Sequence, residues 1–267
     1  MQYLVGADPE LFVRSNQGFL SGHLFPCGTK TNPLRTKNGA VQVDGIALEF
    51  NVTPSETRDA FVTNLKGVLA DLNEIVAEHY PGSFLDAIPT AHVGMDFLRQ
   101  VPPENSQLGC NPDFNAYFME ENPLPDAELP FRTGSGHVHV GFCYPDKSLL
   151  NDPLHFERSA RVARQLDFFL GLPSLDWDAD NERRALYGKA GAFRPKPYGM
   201  EYRVLSNRWV ADEKLAGYVF DQTQRAMKAL DDGNDLAERF GMDARKAIDF
   251  GNVNWKTDLP EIAAEVL

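Results

Sequence analysis

Four short apolar stretches of this chain each carry two polar or charged side chains spaced two residues apart. They are Asp8 and Glu10 in GADPELFV, Glu49 and Asn51 in ALEFNV, His137 and His139 in GSGHVHVG, and Glu201 and Arg203 in GMEYRVL. On a β-strand, residues i and i+2 point to one face. Each stretch therefore predicts a strand with a reactive face. Leu11, Leu48 and Phe50, Val138 and Val140, and Tyr202 and Val204 would occupy the opposite face and pack on a core. A solvated sheet face ordinarily mixes Thr, Lys, Ser and Gln. This one is stocked with carboxylate, imidazole and guanidinium, the groups that hold divalent cations and phosphates.

The same patterning predicts the other elements. Strands are expected at 2–5 and 10–13, with a turn after them at Asn16-Gln17-Gly18, and at 40–43 and 46–52, joined by Asp44-Gly45 as a tight hairpin. Phe61, Leu65, Val68, Leu72 and Ile75 recur at three- and four-residue steps, which predicts a helix from about Ser55 to His79, stopped by Pro81-Gly82. Residues 102–130, rich in Pro, Asn, Asp and Glu, read as a long ordered loop. A second helix is expected over 153–170, and mostly helical structure from about residue 212, broken near Gly233 and Gly251. No internal repeat or low-complexity tract interrupts the chain. The reading is one α+β domain spanning 1–267, an antiparallel sheet covered by helices on one face, with a helical C-terminal section.

Composition narrows the class. At 267 residues, 43% hydrophobic and 24% charged, the chain can bury a substantial core. Its net charge of −12 argues against nonspecific binding to nucleic acid or to an anionic membrane. Cys27, Cys110 and Cys143 are widely spaced with no CxxC, which predicts neither a disulfide framework nor a structural zinc site. The N-terminus lacks a signal-peptide pattern, and no stretch reaches the ~20 apolar residues of a membrane span. A reduced, cytoplasmic protein is expected.

Each candidate residue has a plain reading beside the chemical one. Asp8-Pro9-Glu10 is either a turn with solvated acids or a pair of carboxylates converging on a cation, since converging carboxylates raise each other's pKa unless neutralised. Glu49, between Leu48 and Phe50, is poorly placed for a charge without a partner and favours a site. Asp44 is explained by turn chemistry alone. His137 and His139 share a face and can present ligands to a metal or phosphate, and the flanking glycines allow a ligand or a second backbone to approach. His23, His79, His92 and His155 lack that context and read as structural or exposed. The stretch ERRALYGKAGAFRPKPYGMEYRVLSN holds Arg183, Arg184, Lys189, Arg194, Lys196 and Arg203. Surface ion pairs, worth ~0–1 kcal/mol each, would explain it blandly. A phosphate clamp explains why cations cluster so locally in an acidic protein. There is no GxxxxGK[ST] loop, no strand–GxGxxG–helix unit and no GxSxG elbow.

In that order, the DPE strand, the DG…EFN hairpin, the G-H-x-H strand and the YGKAGAFR…YGMEYRVLSN block resemble the phage-type COOH–NH2 ligases (type two) of the glutamine-synthetase-like carboxylate–amine ligases. The resemblance covers about residues 4–210. It implies a curved antiparallel sheet holding Mg²⁺ (or Mn²⁺) and ATP on its concave face, and amide or peptide bond formation through an acyl phosphate. Carried over position by position, it implies Asp8, Glu10, Glu49, His137 and Glu201 as metal ligands. It implies His139, Arg183, Arg184, Lys189, Arg194 and Arg203 on the nucleotide, with Arg194, Arg203 and Glu49 in catalysis. Asp8 departs from the family's usual glutamate, Glu49 stands where the synthetases have two glutamates, and the synthetases' small N-terminal domain has no counterpart.

The expected partners are thus small-molecule or peptide carboxylates and amines, with no nucleic acid and no membrane. The rival is a metal-dependent hydrolase, with His137 and His139 on Zn²⁺ and Glu10 or Glu49 activating water. An amide hydrolase has little use for the arginine cluster. A third reading, an inactive binding module, would leave the charges of the site without a purpose.

Overall fold

Every strand pairing in the computed structural model, which describes residues 3–106, 113–123, 129–142 and 148–267, is antiparallel. The main sheet has twelve strands among the described residues and does not close into a barrel. Its middle runs, side by side, through Ala192–Lys196, Gly199–Tyr202, Gly136–Gly141, Leu4–Ser15, Ala47–Ser55 and Gly39–Asp44. The four stretches with paired polar residues are the four neighbouring strands at the centre of this series. The α+β class and the antiparallel sheet are as expected from the sequence.

The face opposite the polar pairs is apolar, and the helices pack on it. Val5, Ala7, Leu11, Leu48, Phe50, Val138, Val140 and Tyr202 are all buried in the main core. The helix Arg58–His79 packs on the Ala47–Ser55 half of the sheet and His155–Leu166 on the Ala192–Tyr202 half. The helix Glu213–Asp231 packs against both of them. In the first helix Phe61, Leu65, Val68, Leu72 and Val76 supply the buried stripe. It begins three residues later than expected because Thr57 caps it, its side chain accepting the Ala60 N–H at 3.4 Å, while Ser55 still belongs to the strand.

Three further boundaries differ from expectation. The strands expected at 2–5 and 10–13 are one twelve-residue strand, Leu4–Ser15. Pro9 does not break it because it stands at the last paired position with the histidine strand, opposite Gly136, where the ladder ends. The Glu10 N–H then goes to the Ser135 carbonyl at 2.8 Å. The segment expected to be a loop over 102–130 contains a short helix, Pro103–Ser106, and the pair of two-residue strands Phe114–Asn115 and Glu120–Glu121. The rest of that acidic segment, 107–112 and 124–128, lies outside the described residues, as do Cys110 and Cys143. The second helix passes after Leu166 into a wider π-helical turn, Asp167–Gly171. The hairpin turn holds as expected, with Gly45 at φ 56° and Asp44 paired to Ala47. Among the described residues, no helix is long and apolar enough to cross a membrane.

Candidate active site

Register alone assembles the polar face. Asp8 stands opposite His137, His139 opposite Glu201, and Glu201 in turn opposite Arg194. On the other side Glu10 stands opposite Glu49, and Glu49 opposite Gln42. Residues directly opposed across antiparallel strands share a face, so these side chains, with Arg203 and Asn51, line one cavity of about 550 Å³. The histidine strand is fixed from outside: the Trp209 indole N–H donates to the Gly136 carbonyl at 3.1 Å. A Cβ at Gly136 would collide with the Ser206 carbonyl, so this glycine admits a second backbone, not a ligand.

One end of the cavity is built around Glu201, which is fully buried. Its carboxylate meets Arg203, Lys196 Nζ at 2.6 Å, Arg194 at 3.4 Å and His137 Nδ1 at 3.3 Å. Burial and the nearby Asp8 push its pKa up, but Arg203, His137 and His139 outweigh them and hold the carboxyl well below the usual range. Asp8 behaves alike. Burial raises it, yet His139 Nε2 at 2.9 Å and His137 Nδ1 at 3.3 Å keep it ionised. Burial and the Arg203 charge lower His137 to about 4, whereas Asp8 more than offsets burial for His139 and raises it. Tyr198 stacks on the His139 ring, centroids 5.9 Å apart, and its hydroxyl meets Nδ1. Arg203 is itself held by Asp113, Nε to Oδ2 at 2.9 Å.

The other end is acid-rich. Burial and the Asp44 charge raise Glu10 to about 7, although the Ser135 N–H donates to its Oε2 at 3.0 Å. Burial, then Asp8, Asp44 and Glu10, push Glu49 well above the usual carboxylate range, and the Gln42 amide at 2.8 Å only partly compensates. Lys30 reaches in from the hairpin of Gly28–Thr29 and Asn32–Arg35 and pairs with Asp44 at 2.8 Å.

Several of these groups could hold a divalent cation. Ligand atoms of Asp8, His139 and Glu201 lie within 4.8 Å of one another. His137 Nε2 is buried and makes no hydrogen bond among the described residues, an orphaned donor or acceptor in the wall of a polar cavity. Glu10 and Glu49, facing each other in register, are in the arrangement that a cation would relieve. A set of carboxylate oxygens with imidazole suits a hard to borderline ion.

Not every expected residue reaches the cavity. Asp8, Glu10, Glu49, His137, His139, Arg194, Glu201 and Arg203 line it; Arg183, Arg184 and Lys189 do not. Arg183 is buried and spends its guanidinium on two main-chain carbonyls, Val204 at 2.8 Å and Arg203 at 3.3 Å. Arg184 does the same with the Asp178 and Asp180 carbonyls and the Asn181 side chain. Lys189 lies near Asp249. Arg35, Gln42 and Tyr198 join the cavity without having been singled out for it; Lys30, Lys196 of the basic stretch and the turn residue Asp44 line it too. Gln42 was within reach: the tight turn after Asp44 sets the register that places it opposite Glu49.

The fold and the cavity define an α+β protein whose central antiparallel sheet presents acid, imidazole and guanidinium on one face. The model of one family, Phage phiEco32-like COOH.NH2 ligase-type 2, matches residues 124–232. That span, less than half of the chain, contains the histidine strand and the Arg194–Glu201–Arg203 block; Asp8, Glu10 and Glu49 lie outside it. The match agrees with the family resemblance carried by the motifs, and the family's name supports a ligase, an enzyme that forms C–N bonds. No curated protein matches this chain.

Proposed function

We propose that the chain is an ATP-dependent carboxylate–amine ligase that works through an acyl phosphate in this cavity. The observation that carries the reading is Glu201, a fully buried carboxylate met by Arg194, Lys196 and Arg203, beside an acid-rich floor. A site for neutral amides would need few such cations. A site for phosphates crossing to a carboxylate needs them on one side and cation ligands on the other.

In this reading Asp8, Glu10, Glu49, His137 and Glu201, with His139, would hold Mg²⁺ or Mn²⁺. When bound, ATP would supply the phosphoryl group that activates a carboxylate, and the ions would offset the charge of its phosphates. Arg194, Lys196 and Arg203 bind phosphate oxygens and stabilise charge that grows on them. Gln42 holds Glu49 in place, and Asp113 holds Arg203. Tyr198 fixes the His139 ring and so the nitrogen it offers to Asp8. The Gly28–Arg35 hairpin brings Lys30 and Arg35 over the acidic end, where they can meet the second anion, the substrate carboxylate.

Phosphate release from ATP that requires both a carboxylate and an amine, with an amide product of the summed mass less water, is the expected result. Amide hydrolysis that proceeds without nucleotide and depends on Zn²⁺ would replace this reading with the hydrolase.

A further inference from the structure

Beside the charged cavity lies a second hollow of about 390 Å³, and the two share Asn51, His139 and Tyr198. Its floor is the same sheet face. Leu4, Gly6 and Asp8 alternate along one strand; Gly6 stands opposite His139 and Leu4 opposite Gly141. Polarity changes abruptly along this face. At the two glycines the sheet carries no side chain, and the far side is hydrocarbon from Leu4 and Pro54. Among the described residues, the polar side chains of this hollow are the three it shares with the cavity.

Among the described residues, nothing in the packing requires glycine at these two positions. Neither has a positive φ. A Cβ at Gly6 would meet Pro54 Cγ at 3.5 Å, the Val52 carbonyl at 3.6 Å and His139 Cβ at 3.7 Å, all ordinary contacts. At Gly141 the nearest atom is Leu4 Cβ, at 3.4 Å. Their effect is the open space itself, walled by hydrocarbon and edged by the stacked rings of His139 and Tyr198.

We propose that this hollow seats the apolar side chain of an amino-acid substrate whose charged amine or carboxylate lies beside His139 and Asp8. The inference rests on the ligase reading for the reaction, but the seat is argued from its own walls. A hydrocarbon or phenyl group gains from leaving water there. A nucleobase fits less well, because ring nitrogens and exocyclic groups set against the Leu4 and Pro54 side chains would find no side-chain partner there among the described residues, and unpaired buried polar groups are costly. The hollow also sets a preference in size, favouring leucine- or phenylalanine-sized side chains over glycine.

The test is binding, measured by calorimetry on the whole chain with L-leucine, L-phenylalanine and glycine as probes, with and without Mg²⁺ and a non-hydrolysable ATP analogue. Leucine and phenylalanine are expected to bind at least about tenfold more tightly than glycine, the scale of burying one such side chain. Gly6→Leu, which fills the hollow, should abolish that difference and leave the affinity for the ATP analogue within about twofold. Gly6→Ala, whose Cβ fits without displacement, should shrink the difference if the larger variant fails to fold. Equal affinity for all three probes, no binding of any, or a preference that survives Gly6→Leu would overturn the proposal. Loss of ATP-analogue affinity alone in Gly6→Leu would overturn it in favour of a nucleobase. A wild-type chain that binds leucine selectively but releases no phosphate from ATP when leucine is paired in turn with a panel of amines and of carboxylates would refute the ligase reading and leave the seat standing.

Discussion

The two ends of the cavity solve the problem of buried carboxylates in opposite ways. Around Glu201 the chain supplies its own counter-charges: Arg203, Lys196, Arg194 and His137 surround one acid, which stays ionised although it is fully buried. Around Glu49 the chain supplies mostly more acid. Glu10, Asp44 and Asp8 crowd it, an amide is its hydrogen-bond partner, and its proton is held tightly. On the ligase reading, the ion pairs around Glu201 give way in part to phosphate oxygens, and Asp8, His139 and Glu201 lie close enough together to share a cation. The acid-rich end has few counter-charges of its own and would gain most from a cation.

Breaking the self-neutralised end should have the largest effect. Arg203→Met removes the guanidinium that meets Glu201 and Asp113, and should lower kcat/KM for ATP-dependent phosphate release by about 10²–10³-fold. Steady-state kinetics on a variant shown to be folded by circular dichroism checks this; an unchanged rate would move the phosphate site elsewhere.

Isosteric neutralisation separates the ends by sign. Glu201→Gln leaves buried Arg203 short of a partner and should destabilise by ~3 kcal/mol in urea unfolding. Glu49→Gln relieves the acid cluster and, with chelator present, should leave stability unchanged or raise it by ~1 kcal/mol. Equal losses in both variants would erase the distinction.

Adding Mg²⁺ should stabilise the wild type through preferential binding to the folded chain, by ~2.7 kcal/mol at a hundredfold excess over Kd. The gain should fall by at least half in Glu49→Gln. Thermal unfolding with and without chelator reads both.

A pH dependence is expected from Glu10, raised from 4.5 to about 7. Between those values the folded state binds more protons than the unfolded, so in chelator the stabilisation is complete below about pH 4.5 and is lost as pH rises through about 7. The loss should be ~1–2 kcal/mol, reduced from the full shift because Glu10 is only half-buried, and absent in Glu10→Gln. Smallest of all, Tyr198→Phe removes one hydroxyl contact to His139 and should cost ~0.5–1.5 kcal/mol in ligand affinity, a few-fold in KM.

Much of this arrangement was legible in the residues, and the reasons it was or was not are physical. The period of two in GADPELFV, ALEFNV, GHVHVG and GMEYRV fixes which side chains share a face, and Asp44-Gly45 fixes one register, so the acids and histidines could be gathered from the chain alone. What linear spacing does not carry is where a cation's hydrogen bonds go. Arg183 and Arg184 stand in the same basic stretch as Arg194, but one spends its guanidinium on the Val204 carbonyl and the other on the Asp178 carbonyl. Pro9 is compatible with the strand for a local reason: proline is disfavoured in the interior of a ladder, yet is harmless where pairing already stops. Lys30, Arg35 and Tyr198 reach the cavity from turns and a short hairpin, whose placement comes from tertiary packing and leaves no periodic trace.

The most direct measurement supplies the carboxylate substrate with both oxygens as ¹⁸O, in the presence of ATP, Mg²⁺ and an amine, and weighs the phosphate released. Transfer through an acyl phosphate predicts one ¹⁸O in the inorganic phosphate for every amide formed. Amide accompanied by unlabelled phosphate, or formed and broken with no nucleotide consumed, would contradict the account.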